Sequence, residues 1–263
     1  MTLLGILVIF IGSAMPGAYS TAGEPQYCLG ERATIVGTPE DDELVGTSER
    51  DIIVGLGGKD QIYGGGGRDL ICGEAGSDSI NGAAGKDRIV GGAGNDFIFG
   101  GGGDDHTFGG LGEDHVNGAG GEDVADGGPG DDEVYGGDGD DLLRGGSGKD
   151  SMNGLDGQDR VHGGSGKDKY LTGGLGKDVI FGGTHDDYIY GSEGPDRLEG
   201  GSGNDNIDGG PGNDHIKGNK GRDLLYGAVN ADVLDGGSGN DHLNGAEGID
   251  TCMNGEDVYN CEK

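Results

Sequence analysis

The chain has 263 residues, 67 of them glycine, with no tryptophan, five phenylalanines and a formal charge of −32. So little apolar surface cannot offset the entropy of ordering an ordinary globular domain, and the charge repels nucleic-acid backbones while attracting cations. Without periodicity, this is the composition of a disordered tail.

Residues 1–20 carry no charged side chain and include the apolar run Leu3–Ile11, too short to span a bilayer comfortably. Pro16 and the triplet Ala18-Tyr19-Ser20 follow, the pattern of a signal peptide cut near Ser20. The segment lacks the Lys or Arg of a usual n-region, so an uncleaved anchor is the alternative. Residues 21–33, with Cys28, read as an N-terminal cap.

A nine-residue repeat fills 34–250. From Asp42 every ninth residue is Asp up to Asp168, fifteen in all; after one extra residue, nine more run from Asp178 to Asp250. Two places after each Asp sits an inward position, held by Leu44, Ile53, Ile62 and Ile71 early on and by Ile216, Leu225, Leu234 and Leu243 late. Gly91–Phe99, GGAGNDFIF, typifies the unit. Its glycines take the φ > 0 conformations of a tight turn, Asp96 ends the turn, and Phe97–Phe99 form a three-residue strand with only the middle side chain inside. Twenty-four Asp residues in register exclude a solvated acidic tail and specify a solenoid.

The exceptions are informative. Thr47-Ser48-Glu49 precedes Asp51 without glycine, and His185 and Asn230 replace the glycine two places before Asp187 and Asp232. Between Asp168 and Asp178, counting forward puts Tyr170 inside, whereas counting back puts Leu171 there. A one-residue bulge absorbs the difference, and Leu171 is the expected inward residue. Residues 251–263 form a C-terminal cap. The four cysteines allow three pairings in an oxidising compartment. Cys28–Cys72 and Cys252–Cys261 would staple the two ends, where a solenoid frays; free or intermolecular thiols are the alternative.

A hard divalent cation takes oxygens from carboxylates and main-chain carbonyls, and a Gly-Gly-x-Gly-x-Asp turn offers both. One turn supplies too few, so turns two repeats apart, such as those of Asp78 and Asp96, must share an ion. No thiolate or imidazole recurs to suit a softer metal.

GGAGNDFIF, with GGSGNDNID (Gly200–Asp208) and GGPGNDHIK (Gly209–Lys217), resembles the RTX, or hemolysin-type, calcium-binding nonapeptide. The resemblance runs from about Thr34 to Asp250. It implies an all-β parallel β-roll of about twelve coils, two repeats each, on the order of 58 Å long at one strand spacing per coil. Twelve turns per edge leave eleven gaps, or at most about twenty-two sites. It further implies multiple Ca2+, roughly 15–20, carried by the Asp of each intact turn. These are Asp60, Asp69, Asp78, Asp87, Asp96, Asp105, Asp114, Asp123, Asp132 and Asp141, then Asp150, Asp159, Asp168, Asp178, Asp196, Asp205, Asp214, Asp223, Asp241 and Asp250. It does not carry over to the turns before Asp42, Asp51, Asp187 and Asp232.

Three places after each Asp the side chain points outward. On one sheet this column reads Tyr63, Asn81, Phe99, Asn117, Tyr135, Asn153, then Tyr190, Asp208, Tyr226 and Asn244. Exposed aromatics roughly every 9.6 Å, with amides between, would suit a glycan or a partner surface. The plain alternative is a 36-residue duplication whose rings suit a pleated strand.

No HExxH, GxSxG or P-loop occurs, and no enzyme is expected. The reading is a secreted bacterial protein of the extracellular space that folds on calcium, with no nucleic-acid partner and no stable membrane insertion once its signal is cleaved. The alternatives are a calcium-dependent adhesive or cell-surface spacer, or an accessory subunit of a separate secreted enzyme.

Overall fold

The computed structural model describes residues 25–262, and the signal-peptide expectation falls on residues outside this range. Consecutive repeats alternate between two parallel sheets of thirteen strands each. One, here the first sheet, runs from Ile35–Val36 to Thr251–Met253; the second runs from Glu43–Val45 to Asp257–Tyr259. Two repeats therefore complete a coil, and partners lie eighteen apart: Ile98 pairs with Ile80 on one side and Val116 on the other. The β-roll expectation holds.

The strands are longer than the expected three residues. Phe97–Gly102 is typical, because Gly101 and Gly102 stay in register with Ala83 and Ala84. Turn residues with little or no side chain stack closely enough for the ladder to run on through the bend. The inner face is also richer than expected. Asp96, Ile98 and Gly100 all point inward, alternating with the outward Phe97 and Phe99 in the ordinary period of two.

Between the sheets lies a core made from one file of side chains per sheet, from Ile53 to Leu243. In the bulge Leu171 is fully buried and pairs with Met152, whereas Tyr170 is exposed. The offset between stacked carboxylates rises there from 18 to 19 residues and then returns.

Both expected disulfides are present. Cys252–Cys261 ties down the last coil, where Cys252 pairs inward beside Leu234. Cys28–Cys72 staples the N-terminal end from the flank of the roll. Cys72 lies three places after Asp69 and so faces outward. The short hairpin of Tyr27–Cys28 and Glu31–Arg32 is consequently clamped on the flank of the first sheet. There Cys28, Ile52, Val54, Leu70 and Cys72 form a second apolar cluster outside the roll.

Candidate metal centre

Each repeat's Asp is an inward residue, and from Asp51 to Asp250 it is buried. The Asp96 Oδ1 accepts the main-chain N–H of Asp78 at 2.8 Å, and Asp96 gives its own N–H to Asp114 Oδ1 at 2.8 Å. This bond recurs for all carboxylates from Asp60 to Asp250, at 2.6–3.0 Å, and forms one ladder along each edge of the roll.

The other oxygen is orphaned. In the same twenty-two residues Oδ2 is buried with no hydrogen-bond partner. Native structures leave few buried polar atoms unsatisfied, and a carboxylate oxygen is among the most expensive to strand. Burial accordingly pushes many of these carboxyls up, among them Asp96, Asp105, Asp141, Asp150, Asp196, Asp205 and Asp214 to about 7, and Asp187 to about 8. The main-chain N–H opposes the shift; for most of these carboxyls a stacked Asp adds to it. Such a site wants a proton or a cation.

Glycine makes room for it. A Cβ on Gly91 would land against Asp96 Oδ2 and the Gly109 carbonyl, two oxygens that converge on one space. The residue five places before the Asp is glycine in all twenty-four repeats. Sequence reasoning passed over this position for the glycine two before the Asp, although its invariance along the chain was there to be counted. One place on, Gly92 has φ +122°, and a Cβ there would strike the Glu74 carbonyl. Among the described residues no three His, Cys, Asp or Glu side chains converge, so an ion would take most of its oxygens from the main chain. A donor set of single carboxylates and stacked carbonyls fits calcium.

The twenty-two orphans include all twenty carboxylates expected as ligands. They also include Asp187 and Asp232, which the irregular turns had set aside. His185 and Asn230 simply adopt the glycine conformation, with φ of 83° and 86°. Asp42 and Asp51 are not among them. Their Oδ2 atoms are hydrogen-bonded to Thr38 and Thr47.

The outward column also pairs as expected. Tyr63, Asn81, Phe99, Asn117, Tyr135, Asn153, Thr172, Tyr190, Asp208, Tyr226 and Asn244 follow one another up the second sheet. Tyr63 is exposed, whereas Phe99, Tyr135, Tyr190 and Tyr226 are half-buried. Part of the reason is a neighbouring column: Phe97 stacks on His115 at 4.5 Å, His115 leans on Tyr135 at 5.3 Å, and Tyr170 lies 6.4 Å from Tyr190.

A protein-family profile described as the RTX calcium-binding nonapeptide repeat (4 copies) matches residues 36–71, 73–107, 81–116, 108–143, 135–170, 170–198, 199–234 and 218–252. No curated protein matches the chain.

Proposed function

The chain belongs to the RTX calcium-binding nonapeptide repeat family, and from that premise we propose a secreted, non-enzymatic β-roll that folds as its turns take up calcium. The observation that carries this is the file of twenty-two buried, partnerless Oδ2 atoms. Calcium, when bound, supplies the positive charge and the coordination those oxygens lack. The chain's own groups do the positioning. Each Oδ1 is pinned to the N–H of the coil before it, which fixes the direction of Oδ2, while the glycine five places before clears the space. About fifteen to twenty ions would bring roughly +30 to +40 against −32, so metal-free chain should be strongly self-repelling. The two disulfides support an oxidising, extracellular setting.

Far-ultraviolet circular dichroism tests the reading. The protein should be largely coil in chelator and gain β-structure at millimolar calcium, with many ions bound per chain. Equal β-content in both conditions would sink it.

The tyrosine distribution favours a second reading, an adhesive or spacer role with a glycan or surface partner, whether alone or beside a separate secreted enzyme. Every described tyrosine except Tyr27 and Tyr170 lies on the second sheet, and Tyr170 immediately precedes one of its strands, Leu171–Gly176.

A further inference from the structure

Twenty-two turns share one backbone and two depart from it. Four places before each Asp from Asp60 to Asp250, the residue has a left-handed φ between 70° and 125°. It does so even where it is Leu56, Glu74, Ala83, Ala119 or Leu155. The corresponding residues of the first two turns are Thr38 and Thr47, and neither takes the left-handed region. A β-branched side chain is poorly suited to it.

The departure has a direct chemical effect. The N–H and hydroxyl of Thr38 both donate to Asp42 Oδ2, at 2.5 and 2.9 Å. Those of Thr47 donate to Asp51 Oδ2 at 2.6 and 2.8 Å. Each hydroxyl in turn accepts an N–H, from Glu40 at 3.3 Å and Glu49 at 3.1 Å. The oxygen that is orphaned everywhere else is here satisfied by the chain itself.

The same coils carry supports that the rest of the roll lacks. The hairpin cap is joined to them through Cys28–Cys72 and buries Ile52, Val54 and Leu70 from outside. Arg50 pairs with Glu31 of the cap at 2.8 Å, and Thr34 bonds Ile52. The next carboxylate reaches back onto this group, Asp60 Oδ1 accepting the Asp42 N–H at 2.9 Å. Every later one reaches back in the same direction.

We propose that residues 26–75 are a seed that folds without calcium: Thr38 and Thr47 close the carboxylates of its first coil, the cap and Cys28–Cys72 hold its second, and Asp60 and Asp69 form the open edge on which later coils fold as calcium arrives. The proposal rests on the calcium-coupled reading above and adds an order to it, from the N-terminal end onward.

Hydrogen exchange read by mass spectrometry on the full, disulfide-intact chain tests it. In chelator, peptides from 26–75 should stay protected while those from 91–230 exchange freely; calcium should then protect the whole roll. Free exchange everywhere in chelator, with protection throughout in calcium, would overturn the seed and leave calcium-coupled folding intact. Protection everywhere in chelator would overturn both. The double variant Thr38→Gly, Thr47→Gly should lose protection of 34–75 in chelator by about tenfold or more, the scale of hydrogen bonds to a charged oxygen. It should also bind up to two further calcium ions. The double variant Thr38→Ser, Thr47→Ser should keep the seed. Unchanged protection and ion count in the glycine variant would refute the role given to the threonines.

Discussion

At the scale of the residue, the fold depends on where a carboxylate oxygen is left and what stands next to it. Gly91 is not left-handed; it is glycine because a side chain would occupy the space facing Asp96 Oδ2. Gly91→Ala should therefore lower the stability of the calcium-loaded roll by about 1–3 kcal/mol, the size of an overpacking defect. At Gly102 the nearest atom to an added Cβ is the Ala83 carbonyl at 3.9 Å. Gly102→Ala should be neutral, or stabilising by less than about 1 kcal/mol. Thermal unfolding at saturating calcium compares them, and equal losses would remove the argument from space. The raised carboxyls give a pH dependence of definite sign. A carboxyl with a folded value of about 6–8 binds more protons in the metal-free roll than in the unfolded chain, where it sits near 3.8. Protonation therefore favours the metal-free roll at low pH, and that contribution is lost as pH rises through the folded values. In chelator, β-content should grow on acidification toward pH 4 and fall, by about pH 8, to that of the first coils alone. In calcium the trend should reverse, since protons and ions compete for the same oxygens. A pH titration followed by circular dichroism, with and without calcium, reads both.

At the scale of the element, the two faces of each strand carry different information. The outward column of the second sheet can be varied without touching the ladder, since Tyr63, Phe99 and Tyr135 contribute nothing to the inner file. Replacing all three by Ser should leave calcium-dependent folding in place and abolish retention on polysaccharide or cell-wall matrices. Retention equal to that of the unaltered chain, or none in either, would make the column architecture only. Much of this level was legible in the residues. The nine-residue phase put Ile98 inside, Phe99 outside and Leu171 ahead of Tyr170, because a period-two strand leaves no freedom once one inward residue is known. Strand length was not legible, since glycine marks a bend in any single repeat. Only stacking, a relation between repeats, shows that the bend is also part of the sheet. The burial of the Asp was missed for a similar reason. A carboxylate ending a turn reads as solvated until the coil above covers it. Both end staples were legible too, and the phase of Cys72 after Asp69 assigns the first of them to the flank of the roll.

At the scale of the molecule, each coil touches only the one before and the one after, so stability is a sum of nearest-neighbour terms along one axis. Chelation should accordingly empty the roll from its far end or its middle, while the clamped first coils stay. The same one-dimensional arrangement sets which lengths the molecule can inherit. A recombination event that removes eighteen residues takes out one whole coil and leaves both edges, both faces and the pairing of Cys252 with Cys261 in phase. Removing nine takes out half a coil, and every downstream repeat changes sheets. The tyrosines beyond that point would then leave their column and continue the one that holds Val54, Cys72, Val90, Phe108, Asp126 and Arg144 on the first sheet. The inner file would hardly register the exchange, because Asp, a nearly always apolar residue and glycine recur in the same order on both sides. A lineage of such chains can therefore drift in length by whole coils with little penalty, whereas drift by half-coils is silent to folding and visible only from outside.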